Sequence, residues 1–236
     1  MLSIIVPSLN EEKYLPGLLR SIKRQSFKDF EIIIADADSK DKTIEIAKNL
    51  GCRIIKGGLP AKGRNEGAKA SKGDLLLFLD ADVILSEEFL ENSLKEFKRR
   101  KLGAASFRLI PLTKKRIVKT AMEYFYNKPI TVAEKFIANG AMGILVKKEI
   151  FERVGGFNEE VFAEDFYFLR QAAKIEKFGI IRSGKLLITM RRFEADGYLP
   201  TLLKYLICNF YMLLGKPMKK DTVFKYEFNH YQKRIR

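Results

Sequence analysis

Short apolar runs alternate with helically spaced ones through the first hundred residues. "LSIIVP" (2–7), "FEIIIA" (30–35), "CRIIK" (52–56) and "DLLLFLD" (74–80) have the length and continuous hydrophobicity of buried strands. Between the first two, Leu15, Leu18, Leu19 and Ile22 recur at helical spacing within 11–26. Residues 41–51 form a second helical pattern closed by Gly51, and 61–73 reads as a loop leading into a helix. Residues 86–100 predict a helix with Ser86 as N-cap and acidic residues in its first turn. Strands that alternate with helices, and are apolar on both sides, predict an α/β fold with a mostly parallel, Rossmann-like sheet covered on both faces.

After residue 103 the rhythm loosens. Strands are expected at 104–110, 142–148 and in two short pieces, "GIIRS" and "KLLITMRR"; helices at 115–127, "EIFERVGG" and 164–179. "NGAMG" (139–143) reads as a turn leading into a strand, with a turn that contacts a ligand as the alternative. Repeats, low-complexity tracts and linkers are absent, so residues 1–195 read as one domain with an elaborated second half, followed by 196–236.

The 236 residues suffice for a substantial core, and 47% hydrophobic with 31% charged residues is ordinary for a globular chain. Two cysteines, Cys52 and Cys208, exclude a disulfide framework or a thiolate metal cluster and predict a reducing compartment. The opening residues lack a basic n-region and read as a first strand, so the expected location is the cytoplasm, with peripheral contact at the cytoplasmic membrane face as the alternative. A net charge of +15 admits nucleic acid, anionic lipid or phosphorylated ligands as partners, or is simply a lysine-rich solvated surface. The basic residues are spread along the chain without a nucleic-acid-binding signature, so no nucleic-acid partner is expected.

In open α/β sheets ligands bind beyond the carboxyl ends of the strands. The first four strands are followed by "PSLNEE", "DADSKDKT", "GGLPAKGRNEG" and "DAD". One sheet edge therefore gathers carboxylates, hydroxyls, glycines and the cations Lys62 and Arg64. Taken singly, Asp36 to Asp41 could be turn and capping chemistry. Asp80 and Asp82, at the end of an apolar run, are like charges two positions apart that repel unless compensated. Mg²⁺ or Mn²⁺ would compensate them, since such ions take oxygen ligands and complete their shell from substrate phosphates. Without such an ion the two carboxylates are expected to wait for partners that the chain does not itself supply. That chemistry points to a nucleoside diphosphate.

Four ordered segments now carry a resemblance: "SIIVPSLNEEKYLPGLLRSIKRQSFKDFEIIIAD", "DADSKDKT", "GRNEGAKASKGDLLLFLDAD" and "VGGFNEEVFAED". Over roughly residues 2–195 the chain resembles the family 2 glycosyltransferases, which have the GT-A fold. The resemblance implies an inverting, metal-dependent transfer of a sugar from a nucleotide-diphospho-sugar to a glycan, a lipid-linked intermediate or a polyprenyl phosphate. It implies that Pro7, Leu9, Asn10 and Glu11 line the nucleoside pocket, partly through backbone. Asp36 would face the base, and Arg64, with Lys62 assisting, would approach the base or diphosphate. Asp80 would contact ribose or metal, Asp82 would ligate the metal, and Asp165 would be the general base, with Glu164 as neighbour or substitute. A carboxylate at a helix start is expected to be held ionised by the helix dipole.

The pattern also departs from the family. Asp36-Ala37 stands where many members have two adjacent acids, so the base is not specified. "RQAAK" replaces the Gln-x-x-Arg-Trp of processive members, and the chain has no tryptophan, which implies single additions. The alternatives are a nucleotidyltransferase, disfavoured because "PSLNEE" is acidic where a basic phosphate loop is needed, and a basic nucleic-acid-binding protein, which has no use for Asp36, Asp82 and Asp165 together.

"YLPTLLKYLICNFYMLLG" (198–215) is apolar around most of a helix, yet Lys204, Asn209 and Pro200 make it a poor transmembrane span. It either packs on the domain or another copy, or lies on a membrane surface with the basic tail 216–236 attracted to anionic lipid. His230, the only histidine, is a candidate late metal ligand or a plain tail residue.

Overall fold

The computed structural model describes residues 1–161, 163–198, 200, 201 and 203. The expectations for Cys208, His230 and the tail 216–236, and most of those for 198–215, lie outside the described residues.

The first half follows the strand–helix rhythm: β1 (Leu2–Ser8), α1 (Leu15–Lys23), β2 (Phe30–Asp36), α2 (Thr43–Asn49), β3 (Arg53–Lys56), α3 (Pro60–Ala70) and β4 (Leu75–Leu79). The second half comprises β5 (Val83–Leu85), α4 (Phe89–Arg99), β6 (Ala104–Pro111), α5 (Arg116–Met122), a π-helical turn (Glu123–Asn127), α6 (Lys128–Ala133), β7 (Gly143–Lys147), α7 (Lys148–Val154), α8 (Glu164–Ile175), β8 (Phe178–Ile188) and α9 (Arg191–Asp196). All eight strands form one sheet in the order β3-β2-β1-β4-β7-β6-β8-β5. Strands β1 to β4 pair in parallel, as do β6 and β8; β7 and β5 run antiparallel to their neighbours. The sheet is thus mixed and mostly parallel.

Two apolar layers cover it. Ile4, Val6, Ile34, Leu77 and Leu79 face one layer, with Leu15, Leu18, Leu19 and Ile22 of α1. Ile5, Ile33, Leu76 and Phe78 face the other, with Phe151, Phe157 and Phe168. The period-two alternation of burial partners along each strand explains why both faces had to be apolar.

Helix α3 is the element whose position matters most. It packs against β1 with so little space that a methyl group at Gly67 would collide with Ile5 Cγ2. Gly67→Ala is therefore expected to destabilise the protein despite its better helix propensity, by about 1–2 kcal/mol net. On a chain of this size that lowers Tm by roughly 2–8 °C, readable by calorimetry. An unchanged Tm would show that α3 can lift from the sheet.

Several boundaries differ from expectation for long-range reasons. Residues 61–70 are helix rather than loop, so Lys62 and Arg64 sit on α3. Helix α4 begins at Phe89 after Glu88, whose φ is 52°, and Ser86 does not cap it through its side chain. Gln25 meets the helix start instead. Its Oε1 accepts from Leu90 N–H at 2.9 Å while its Nε2 donates to Ser86 O. "GIIRS" and "KLLITMRR" are not two strands. Residues 178–188 form one, and Arg191 and Arg192 belong to α9. The strand survives an irregularity at 182–184, where its register against β6 jumps, because Glu96 Oε2 accepts from both Arg182 N–H and Ser183 N–H. The expected helix 115–127 continues through the π turn to residue 133.

Candidate active site

Strands β1 and β2 end side by side, and the loops beyond them are laced together. Asp36, buried at the end of β2, accepts hydrogen bonds from Ser8 Oγ, Ser39 Oγ and Ser39 N–H. Ser39 Oγ in turn accepts from Asn10 N–H at 2.9 Å, and Asn10 Oδ1 accepts from Lys40 N–H at 2.7 Å. Asp41 accepts from Glu12 N–H, and Thr43 Oγ1 from Glu11 N–H. Asp36, Ser39, Asp41 and Thr43 therefore all tie the second loop to the first. Asn10, at φ 54°, and Asp38, at φ 69°, are residue types that tolerate the left-handed region such tight loops require. Pro7, near the end of β1, and Leu9, in the loop beyond it, are half-buried.

The DAD triplet follows β4, and each of its carboxylates meets an arginine. Asp80 Oδ1 lies 2.8 Å from Arg64 Nη2. Asp82 Oδ2 lies 2.8 Å from Arg191 Nε and also accepts from Thr189 Oγ1 at 2.8 Å. The expectation that these carboxylates wait for partners the chain does not supply is thus corrected: the chain supplies two guanidinium groups. Arg191, at the start of α9, grips Glu11 with its other nitrogens at 2.7 and 3.1 Å and stacks over Tyr14. Arg64 is 4% exposed and also faces Glu164 at 2.7 Å and Asp165 at 3.1 Å.

Five carboxylates therefore converge on two paired guanidinium groups, with Arg192 acting on Asp82 only at longer range. The surplus of negative charge registers in the acids. Burial pushes Glu11 up to about 7 against the opposing pull of Arg191, with Asp82 and Asp80 adding to the rise. Burial likewise raises Asp82, again opposed by Arg191. Asp165 is raised too, by burial first, with Arg64 opposing and Glu164 and Asp80 reinforcing. The helix dipole does not keep it in the ordinary carboxylate range, as the sequence led one to expect; desolvation wins over a helix-terminus effect of roughly 0.3–1 kcal/mol. On Arg64, burial disfavours the charge, but Asp165, Asp80 and Glu164 more than offset it, so its pKa is raised.

Asp165 Oδ1 has a distinctive environment. It is shielded from solvent and, although 3.1 Å from Arg64 Nη1, receives no hydrogen bond of good geometry. That Nη1 donates to Glu164 instead. Loop 139–142 closes this side: Met142, at φ 62°, accepts from Asp80 N–H at 3.4 Å, and its backbone contributes a hydrogen bond at Asp165. "NGAMG" thus does more than lead into β7. The "VGGF" turn is fastened to α3 by Asn65, which accepts from Phe157 N–H and donates to Phe157 O. Gly155 and Gly156, at φ 85° and 82°, make that reversal, and a side chain at Gly156 would meet Asn65 Oδ1. Phe157 then lies under the Arg64 guanidinium.

The structure thus brings together Glu11, Arg64, Asp80, Asp82, Glu164 and Asp165. Asp36 and Asn10 belong to the loop lacing, and Lys62 is exposed on α3 with its stem over Gly58. Arg191, Thr189 and Tyr14 were missed. Extending the strand-end rule to the last strand would have found the first two. Among the described residues no three His, Cys, Asp or Glu side chains are placed to hold a metal by themselves.

The sequence matches the family described as glycosyl transferase family 2 over residues 3–155. It is 34% identical over 181 residues to an uncharacterized glycosyltransferase of Haemophilus influenzae, covering 72% of this chain and 60% of that one. It is 37% identical over 109 residues to the 4,4'-diaponeurosporenoate glycosyltransferase of Staphylococcus haemolyticus, covering 42% and 29%. The chain thus spans 60% or less of the length of these relatives. Among solved structures, the fold is similar to S. aureus TarS 1–349 (TM-score 0.65, 21% identity, covering 81% of this chain and 61% of that one). It is likewise similar to the mannosyltransferase PcManGT of Pyrobaculum calidifontis in complex with GDP-Man and Mn²⁺ (TM-score 0.66, 21% identity, covering 79% and 56%).

Proposed function

The chain belongs to glycosyl transferase family 2, and from that premise we propose that it is an inverting, metal-dependent glycosyltransferase that moves one sugar from a nucleotide-diphospho-sugar to a glycan or lipid-linked acceptor. Membership favours sugar transfer over the nucleotidyl-transfer and nucleic-acid-binding alternatives. The observation that carries the reading is the convergence of five carboxylates on two guanidinium groups at the carboxyl edge of the parallel strands. A surplus of buried negative charge at that edge fits a divalent cation, and the donors are all hard oxygens. Mn²⁺ or Mg²⁺ would be held by Asp82 and Asp80, with diphosphate oxygens completing the set. Its chemistry there is to neutralise the charge of the departing diphosphate.

The remaining work falls to side chains. In this reading the laced loops 8–12 and 36–43 form the nucleoside side of the pocket, from Pro7, Leu9, Asn10, Glu11 and Asp36. Arg64 holds Asp80, Glu164 and Asp165 in fixed relation, and Lys62 stands near the loop after β3. Asp165 Oδ1, which receives no hydrogen bond of good geometry although Arg64 Nη1 lies 3.1 Å away, keeps a lone pair that would take the proton of an acceptor hydroxyl, and its raised pKa improves it as a base near neutral pH. In a single displacement the hydroxyl oxygen bonds to the anomeric carbon, the bond from that carbon to the diphosphate breaks, and the proton passes to Asp165.

A calorimetric titration with nucleoside diphosphates, with and without Mn²⁺, tests the assignment. Asp82→Asn is expected to remove the Mn²⁺-dependent part of binding, a loss of about tenfold or more. Wild-type metal-dependent affinity in that variant would reject Asp82 as a ligand.

A further inference from the structure

Helices α5 and α6 and the π turn between them form a continuous helical segment whose two sides are both apolar. The inner side is ordinary: Met122 and Tyr126 pack on the core, and Asn127, Ile130 and Glu134 are buried. Asn127 pins the segment to β6 by exchanging hydrogen bonds with Leu109. The outer side is not ordinary. Ile117 is 78% exposed, Phe125 82%, Val132 79% and Phe136 87%, with Leu112 and Tyr124 also open to solvent. Six of the nine large exposed hydrophobic side chains among the described residues thus fall within 112–136. A helix apolar on all sides is normally buried, and a concentration of exposed apolar side chains on a folded chain marks a contact surface.

The charges around these side chains say what the contact is. Lys114, Lys115, Arg116, Lys119, Lys128 and Lys135 are all exposed. The segment's two acids are occupied elsewhere: Glu123 with Arg108, and Glu134, inside the protein, with Arg100 and Arg182. The outer surface is therefore apolar and basic with no unpaired acid. Lys128 lies over the Tyr124 ring, so cation and aromatic share one spot. Along the segment the exposed apolar residues Ile117, Tyr124, Phe125, Val132 and Phe136 are interspersed with the exposed cations Lys119, Lys128 and Lys135. Apolar side chains among lysines suit the headgroup boundary of an anionic bilayer.

The segment is also anchored at both ends beside the candidate active site. Leu112 N–H donates to Ile188 O, next to Thr189, and the chain returns at Met142 against Asp80. We propose that residues 112–136 are a membrane-docking surface for anionic lipid, which brings the neighbouring candidate site close to the bilayer. The surface does not depend on the transfer chemistry; taken with it, the acceptor is one carried in the membrane. This is a different segment from the apolar stretch 198–215.

The test uses the full chain and vesicles of phosphatidylcholine with or without phosphatidylglycerol, in the absence of nucleotide, so that its outcome is independent of the donor reading. Wild type is expected to sediment with the anionic vesicles and about tenfold less with neutral ones. The pair Phe125→Ser/Phe136→Ser, and separately Lys119→Glu/Lys135→Glu, are expected to weaken anionic-vesicle binding about tenfold or more without lowering Tm, since the side chains are exposed. Because the chain has no tryptophan, Phe125→Trp supplies a single reporter whose emission should shift to the blue on anionic vesicles. Absence of wild-type binding, wild-type affinity in the Phe pair, or an unshifted reporter overturns the proposal. So does a Phe pair that turns an oligomer into a monomer with vesicle binding intact, which would give this surface to a second copy of the chain.

Discussion

Asp165→Asn is expected to lower turnover by about a thousandfold while leaving the donor KM within a few-fold of wild type. General-base catalysis contributes about 10²–10⁴, and the amide cannot accept the proton. Donor binding should persist because Asp165 touches neither of the laced loops; its contacts are Arg64, Glu164 and the Met142 backbone. Removing one of three acids around Arg64 leaves Asp80 and Glu164 to keep the guanidinium paired, so the variant should fold. Single-turnover kinetics separate the possibilities. Turnover close to wild type would remove Asp165 from the chemistry, and a matching loss in Glu164→Gln would place the base there instead.

Arg191→Met is expected to be the most destabilising of the single changes considered, by about 3–5 kcal/mol at alkaline pH, because it leaves two buried carboxylates without their cation. Glu11 and Asp82 are 3% and 6% exposed, and Arg191 pairs with both. The pH dependence has a definite sign. Burial already raises Glu11 to about 7 in the folded protein, from an ordinary value of 4.5, against the opposing influence of Arg191. A carboxyl with a raised native pKa favours the fold below its unfolded pKa and loses that contribution as pH rises through the native one. Without Arg191 the native value rises further. Between about 4.5 and 7 both proteins keep Glu11 protonated and lose stability in parallel; above about 7 only the variant continues to lose it. Urea unfolding at pH 6 and pH 9 should therefore show a deficit that grows with pH. A deficit independent of pH would mean that Glu11 keeps its charge without the arginine.

Legibility divided along the range of the interactions. Strands β1, β2 and β4 were readable because each is dominated by a continuous apolar run, and α1 because its four buried apolar residues keep helical spacing. Strand β8 was split in reading because "RSG" interrupts its hydrophobicity; what carries the strand through is Glu96, more than eighty residues away. Ser86 looked like a cap from its neighbours alone, while the group that meets the helix terminus is Gln25, from another element.

The candidate site was legible where its residues sit within motifs, as Arg64, Asp80, Asp82 and Asp165 do. It was illegible where a cation from α9 completes it. Nothing near Arg191 announces that it will face Glu11, 180 positions earlier. Burial of Asp165 also could not be read from its place at a helix start, and burial is what overrides the dipole there.

The pairing of Arg191 with Glu11 and Asp82 also bears on how the chain is made. Elongation runs from the N-terminus, so β1 to β4 can assemble while α9 is still unsynthesised. Throughout that interval Glu11 and Asp82 have no arginine partner, and the nascent half-sheet carries acidic groups at its open edge. Closing contacts of such sequence separation come late and slowly. The edge that carries the candidate site is then the last part of the described fold to become electrically satisfied, and a ribosome pausing before residue 191 would leave it exposed to whatever cation reaches it first.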